Sequence, residues 1–224
     1  TDIERSEIAE IYNLTTFDVP TYKPTLRKQL KTMLYVEEKA FKDFLLDEVK
    51  SMIDIGRPCL ILCASVVTSD LIYKLIKNNI NKSAIQLLND MQHEEEEFIV
   101  EKAGNKSIIT IATNAAGRGT DISISQEVIS KEGLHVIFTF FPNNERIEAQ
   151  GAGRAGRQGN PGSYRILIPH DDDLVKLANS NKKPIELEQL INFRNMTKAD
   201  KILNGYGSHP SRVCGLRFYY QNLN

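Results

Sequence analysis

The chain has 224 residues, 41% of them hydrophobic, which suits one compact domain with an appendage. Lysine and arginine total 28 against 29 aspartate and glutamate, so the net charge of -1 excludes a global field that draws the chain to nucleic acid or acidic lipid. No apolar run approaches the roughly 20 residues of a membrane span, and the start is too polar for a signal peptide, so a reducing, cytoplasm-like compartment is expected.

In chain order, residues 1-35, with Pro20 and Pro24, read as an extended leading segment. Val36 to Ile55 reads as one long amphipathic helix, stopped at Gly56 with Pro58 behind it. From there short apolar runs alternate with amphipathic stretches, the pattern of parallel strands joined by crossover helices. Cys59 to Cys63 is a buried strand, and Val66 to Asn78 is a helix with Val67, Leu71, Ile72, Leu75 and Ile76 on one face. Ala84 to Leu88 resumes a strand, and His93 to Ala103 is a helix whose first turn holds Glu94 to Glu97, where the dipole favours acids. Ser107 to Ala112, Leu134 to Phe138 and Tyr164 to Ile168 complete five expected strands, an α/β sheet of RecA size. Asp171 to Asp173 reads as a helix cap, and beyond Asp173 a mixed helix and loop tail is expected.

The cysteines, Cys59, Cys63 and Cys214, lack the CxxC pairing of zinc or redox sites, and the first two are expected in the core. His93 and His135 are read as structural, and no metal site is assigned.

Two stretches combine glycine with arginine. Thr113 to Ile122 (TNAAGRGTDI) follows a strand, and in α/β sheets ligands collect at the carboxyl ends of strands. Gly117 and Gly119 let backbone approach a ligand, Arg118 offers a permanently charged fork for phosphate, and Asp121 can accept from a ribose hydroxyl. The second stretch is Gln150 to Gly159 (QGAGRAGRQG). Its Arg154 and Arg157 have the i, i+3 spacing that on a helical turn sets both guanidinium groups on one face, able to grip one phosphate. Gly151, Gly153, Gly156 and Gly159 remove side-chain bulk, which would admit another protein surface carrying the nucleotide. An arginine reaching into a neighbouring phosphate site is worth roughly 10³-10⁵ in rate.

At these residues the chain resembles the SecA family of preprotein-translocase ATPases. TNAAGRGTDI is similar to the SecA form of helicase motif V, with Ala115 where methionine is usual, and QGAGRAGRQG resembles motif VI. Gly133 to Ile137 is similar to the strand before motif VI, and Leu87-Leu88-Asn89 with His93 and Ala103-Gly104 to the segment before motif V. Ile11 to Leu14, Val19-Pro20-Thr21 and Arg27-Lys28 resemble the stretch between the two nucleotide-binding lobes. The resemblance covers roughly residues 1-173. It departs at Phe140 to Asn144, where a charged stretch with a histidine is usual, at Ala152 in place of an arginine, and at Ser123-Ile124-Ser125 in place of Leu-Gly-Gly.

The resemblance implies a P-loop NTPase fold of the helicase C-terminal type, with 1-35 as inter-lobe linker, 36-173 as RecA-like lobe and 174-224 as a C-terminal extension. It implies that Arg154 and Arg157 contact the γ-phosphate of ATP, that Arg118 and Asp121, between Gly117 and Gly119 and beyond, support the nucleotide, and that Gln150, with Gly153, orients motif VI. It also implies action in the cytoplasm or peripherally at a membrane, on an unfolded polypeptide and beside a membrane translocon. The sequence contains no GxxxxGK[ST] run, because Gly104-Asn105-Lys106-Ser107 lacks the glycine before lysine. The expectation is therefore half of an ATP site: the P-loop lobe of the same longer protein supplies the rest, Mg²⁺ included, and only the two together form an ATPase. A nucleic-acid helicase lobe is the alternative, disfavoured by the balanced charge and the lack of a basic stripe interleaved with aromatics. A third reading is a SecA-derived interaction module without transport activity.

Overall fold

The computed structural model describes residues 5, 9, 13-17, 19-80, 85-89, 96-114, 116, 121-178 and 185-195. Its strands are β1 (Leu26–Gln29), β2 (Met33–Leu34), β3 (Cys59–Cys63), β4 (Ile85–Leu88), β5 (Ile109–Thr113), β6 (Leu134–Phe138) and β7 (Pro161–Ile168). The helices are α1 (Glu38–Asp54), α2 (Val66–Asn79), α3 (Glu96–Ala103), α4 (Gln126–Ser130), α5 (Glu145–Ala152) and α6 (Asp173–Ala178). Residues 187-195 add a further helical run.

All pairings are parallel, in the order β1-β7-β6-β3-β5-β4, with β2 continuing along β7 beyond β1. The central strands β3, β5 and β6 are buried at every position, as the uninterrupted apolar runs demand of a sheet covered on both faces. Their period-2 alternation splits the core in two. Cys59, Ile61, Cys63, Ile109, Ile111 and Ile137 pack with Phe41, Leu45 and Val49 of α1 and Ile72 and Ile76 of α2. Leu60, Leu62, Val136, Phe138, Ile166 and Ile168 pack on the opposite side with α3, α6, Ala152 and Leu190.

Helix boundaries follow local chemistry. Ser65 accepts from Thr68 N to open α2, Ser125 from Val128 N to open α4, and Asn144 from Ile147 N to open α5. Gly56, at φ +77°, ends α1 in the left-handed conformation that glycine adopts without strain. Asp172 caps α6 through Leu174 N, as read from the acidic run, and also accepts from Phe141 N at 2.9 Å.

Three expectations need correction. β1 and β2 belong to the sheet, although the sequence places them in the extended leading segment; with only four and two residues, and two adjacent basic residues in β1, they carry no strand periodicity, and β7 supplies the pairing. Among the described residues the sheet thus has seven strands instead of five. On α2 the buried line is Ser69, Ile72 and Ile76, while Val67 and Leu71 are 69% and 61% exposed, because the helix is rolled so that its small serine meets the sheet. The first turn placed at Glu94 to Glu97 falls partly outside the described residues, as does His93; described α3 starts at Glu96.

A polar cluster interrupts the core between α1 and the sheet. Arg57 Nη2 donates to Ser163 Oγ at 2.9 Å, Ser163 lies 2.8 Å from His135 Nδ1, and His135 Nε2 lies 3.2 Å from Glu48 Oε1, which also accepts from Arg165 Nε at 2.6 Å. Burial holds the pKa of His135 below its ordinary value, partly opposed by Glu48, so the ring is neutral. With Arg57 donating to Ser163, the consistent arrangement is Ser163 O–H to Nδ1 and Nε2–H to Glu48. His135 is structural, as read from sequence: its ring is inaccessible and its nitrogens are engaged.

Candidate functional site at two converging loops

The loop after β5 turns immediately. Ala116 N bonds both the carbonyl and the hydroxyl oxygen of Thr113, each at 3.2 Å, and Asn114 N bonds Cys63 O at 3.1 Å. Ala115, Gly117, Arg118, Gly119 and Thr120 lie outside the described residues. The chain is described again from Asp121, and Ile122 is buried in the core.

The second loop leaves α5 at Gly153. Sequence spacing set Arg154 and Arg157 on one helical face, and the structure overturns this: α5 ends at Ala152, and Gly156 at φ +68° breaks the helical path between the two arginines. Their side chains take different roles. Arg154 is only 7% exposed and its Nη2 donates to Ala116 O at 3.1 Å, tying the two loops together. Arg157 donates from Nε to Gly153 O at 3.1 Å and from Nη1 to Asp121 Oδ1 at 2.7 Å.

Both arginines and Asp121 line one cavity of about 120 Å³, with Ile122, Ser123, Ile124, Leu134 and residues 156, 158 and 160. Leu134 opens β6 and residues 156-160 lead into β7. The cavity therefore lies beside the starts of β6 and β7, away from their carboxyl ends, where the general rule for α/β sheets places ligands. The first loop follows the carboxyl end of β5 and the second follows α5, and each has to run back across the sheet towards the start of the next parallel strand, where the two meet. Gln150 is exposed on the last turn of α5, and neither it nor Gly153, which ends that helix, lines the cavity.

Gln158 is a cavity residue that sequence reasoning left without a role. Its Nε2 donates to Asp121 Oδ2 at 3.3 Å, so Asp121 takes Arg157 on one oxygen and Gln158 on the other. Gln158 has φ +56°, uncommon for a residue with a side chain, and the flanking Gly156 at +68° and Gly159 at +77° are the local signal that the backbone turns left-handed here.

The glycines of this stretch do not leave space for another protein. A Cβ on Gly151 would come within 2.5 Å of the Phe138 ring and 2.8 Å of Leu62 Cδ1, and one on Gly153 within 2.8 Å of Ala149 O. On Gly156 it would meet Arg27, and on Gly159 Lys23, each at 2.8 Å. The room is filled by this chain itself, which spacing alone cannot reveal.

The three departures from the SecA pattern have structural uses. Ser125 caps α4, and Ile124 packs against the core. Phe140 meets the Phe138 ring edge-on at 5.8 Å, Phe141 lies under the Arg194 guanidinium, and Asn144 caps α5. Ala152, where an arginine is usual, is buried in the core. Among the described residues, no group of three or more His, Cys, Asp or Glu side chains could hold a metal ion.

A parallel open sheet with crossover helices on both faces and paired loops of this kind defines a RecA-like domain of the P-loop NTPase fold. The same fold is seen in the yeast DEAD-box splicing factor Prp28 (TM-score 0.56, 19% identity, 85% of this chain and 42% of that one). It is also seen in the E. coli DEAD-box protein SrmB (TM-score 0.52, 15% identity, 76% and 95%). Within that class, the chain belongs to the SecA P-loop domain family, whose model matches residues 24-132 and 123-196. The match runs past Asp173, where the motif resemblance stops.

Similar proteins include the protein translocase subunit SecA of Phocaeicola vulgatus, 37% identical over 189 residues, which make up 84% of this chain and 17% of that protein. The SecA subunit of Clostridium tetani is 39% identical over 187 residues, 84% of this chain and 22% of that protein. That of Maridesulfovibrio salexigens is 36% identical over 204 residues, 91% and 24%. The chain thus spans about a fifth of the length of the curated relatives it matches.

Proposed function

We propose that this chain is the second motor lobe of a SecA-like translocase ATPase, in which Arg154 and Arg157 complete an ATP site whose P-loop and Mg²⁺ belong to another lobe of the same protein. The observation that carries the reading is the meeting of Asp121, Arg154 and Arg157 in one cavity from two loops far apart in sequence. Its volume of about 120 Å³ is well under the roughly 300 Å³ at which small-molecule pockets begin, which suits the phosphate end of a nucleotide and half of a shared site.

Energetics favour exchange of partners at Arg157. Its pair with Asp121 is partly open to water, with side-chain exposures of 36% and 45%, and such pairs contribute about 0.2-1 kcal/mol. Charge-assisted bonds from a guanidinium to a phosphate are stronger, roughly 1.5-3 kcal/mol each, so an arriving γ-phosphate takes Arg157 from Asp121. Asp121 is then free to accept from the nucleotide, Gly117, Arg118 and Gly119 support it from the same loop, and Gln150 and Gly153 set the helix end from which the arginine loop departs.

In this reading residues 36-173 are the lobe, 1-35 the inter-lobe linker anchored on its edge through β1 and β2, and 174-224 an extension. Closing of the lobes on ATP drives an unfolded polypeptide through a membrane translocon from the cytoplasmic side. No helix among the described residues is long and apolar enough to cross a membrane.

The test is ATP turnover by the full-length protein and by this chain alone. Arg157→Ala in the full-length protein is expected to lower kcat by about 10³-fold, and the isolated chain to bind ATP weakly without turnover. Robust hydrolysis by the isolated chain, or full-length turnover indifferent to Arg157→Ala, overturns the proposal.

A further inference from the structure

The arginine loop is covered by the leading segment. Gly156 and Gly159 are both left-handed, and a Cβ on either would stand 2.8 Å from the Cβ of Arg27 or Lys23. The Arg27 backbone is also near, its Cα and N each 3.3 Å from a Cβ on Gly156. Arg27 lies in β1 opposite Gly162 of β7, the strand into which the loop runs. Its Nη1 donates to Ala155 O at 3.4 Å, and its guanidinium lies 6.0 Å from the centre of the Tyr164 ring. Tyr164 donates its hydroxyl to Glu148 Oε1 of α5 at 3.5 Å, so Arg27 contacts the loop directly and, through Tyr164, the helix that precedes it.

Gly156 and Gly159 have no side chains of their own, so besides the bonds that Arg154, Arg157 and Gln158 make, what packs on these two glycines helps to set the loop's position. β7 is held on both sides by other strands, whereas β1 is a four-residue edge strand with mostly exposed side chains. Short exposed elements belong to the low-stability end of a fold and move more easily than the strands they border.

We propose that Arg27 is a positioning residue, which with Lys23 clamps the 154-159 loop so that displacement of the leading segment against β7 is carried into the placement of Arg157. The inference rests on the reading of Arg157 given above and adds a mechanical input to that site: pulling β1 from the sheet edge uncovers Gly156 and loosens the arginine.

The experiment uses the full-length protein, with ATP kinetics and hydrogen exchange over residues 153-159 measured together. Arg27→Ala is expected to lower kcat by about tenfold with the KM for ATP changed less than about twofold, since misplacing a catalytic group affects the transition state. It should also speed exchange in the loop. Arg27→Lys should recover part of both effects, and it serves in place of the alanine variant if that fails to fold. Lys28→Ala, on the same strand but bonded to Glu132 at 2.9 Å and not to the loop, should change neither. Wild-type kcat and wild-type exchange in Arg27→Ala overturn the clamp, even where Arg157→Ala abolishes turnover. If Arg157→Ala retains turnover, the reading beneath fails, and loop exchange alone decides whether Arg27 holds the loop.

Discussion

Arg157 and Asp121, 36 residues apart in sequence, are joined at 2.7 Å, so that the loop after β5 and the loop before β7 form one surface. Because the pair is partly solvated, Asp121→Asn should change folding stability by less than about 1 kcal/mol in chemical denaturation. In the full-length protein the same variant should weaken ATP binding measured by titration. A large loss of stability would mean that the pair is a structural fastening.

Acid should weaken the fold in two stages. His135 is held below its ordinary pKa of 6.5 by burial, so below about pH 6.5 the unfolded state binds a proton that the folded state resists. Its contribution is complete above that pH and is lost as the pH falls towards the folded pKa. Burial pushes the Glu48 carboxyl up, but hydrogen bonding from His135 and the Arg165 charge more than reverse this, leaving it below 4.5. That contribution is present above pH 4.5 and lost on further acidification. Denaturant midpoints measured from pH 7.5 to 4 should fall from about pH 6.5 downward, and His135→Gln should remove the first stage while lowering stability throughout.

Gly151→Ala tests the reading that this glycine serves packing. The added methyl would press on Phe138 and Leu62, and overpacking of this kind costs about 1-3 kcal/mol. A melting temperature equal to that of the parent would return the position to an approaching partner.

Cys59 and Cys63 should resist thiol reagents while the chain is folded. Burial pushes both thiols up, Cys63 to about 12, and neither has a path to solvent. Mass spectrometry after labelling at pH 8 should find both unmodified in the native protein and modified in denaturant; native labelling of either would show that β3 opens.

The succession of strands β3 to β7 along the chain could be read from the sequence because each is a short apolar run bounded by glycine, asparagine or charged residues, and those of β3, β5 and β6 are apolar enough to demand burial on two faces. Cys59, Cys63, His135 and Asp172 were readable for the same reason: their neighbours already define a strand or a helix start. β1 and β2 were not, since Leu26 to Gln29 carries no apolar alternation and becomes a strand only when β7 lies alongside. The roll of α2 was equally hidden, because apolar residues on two adjacent helical lines leave the choice to the sheet beneath.

For the site, sequence determined which residue types are present: arginines and glycines in two stretches, one following a strand and one preceding a strand, within a chain of the SecA P-loop domain family. Only the tertiary structure decided that Arg154 is buried against Ala116 while Arg157 faces Asp121, and that Gly156 and Gly159 are filled by Arg27 and Lys23. The physical reason is range. Periodicity and turn chemistry act over a few residues, whereas these contacts join segments more than 30 residues apart through the return path of parallel crossovers.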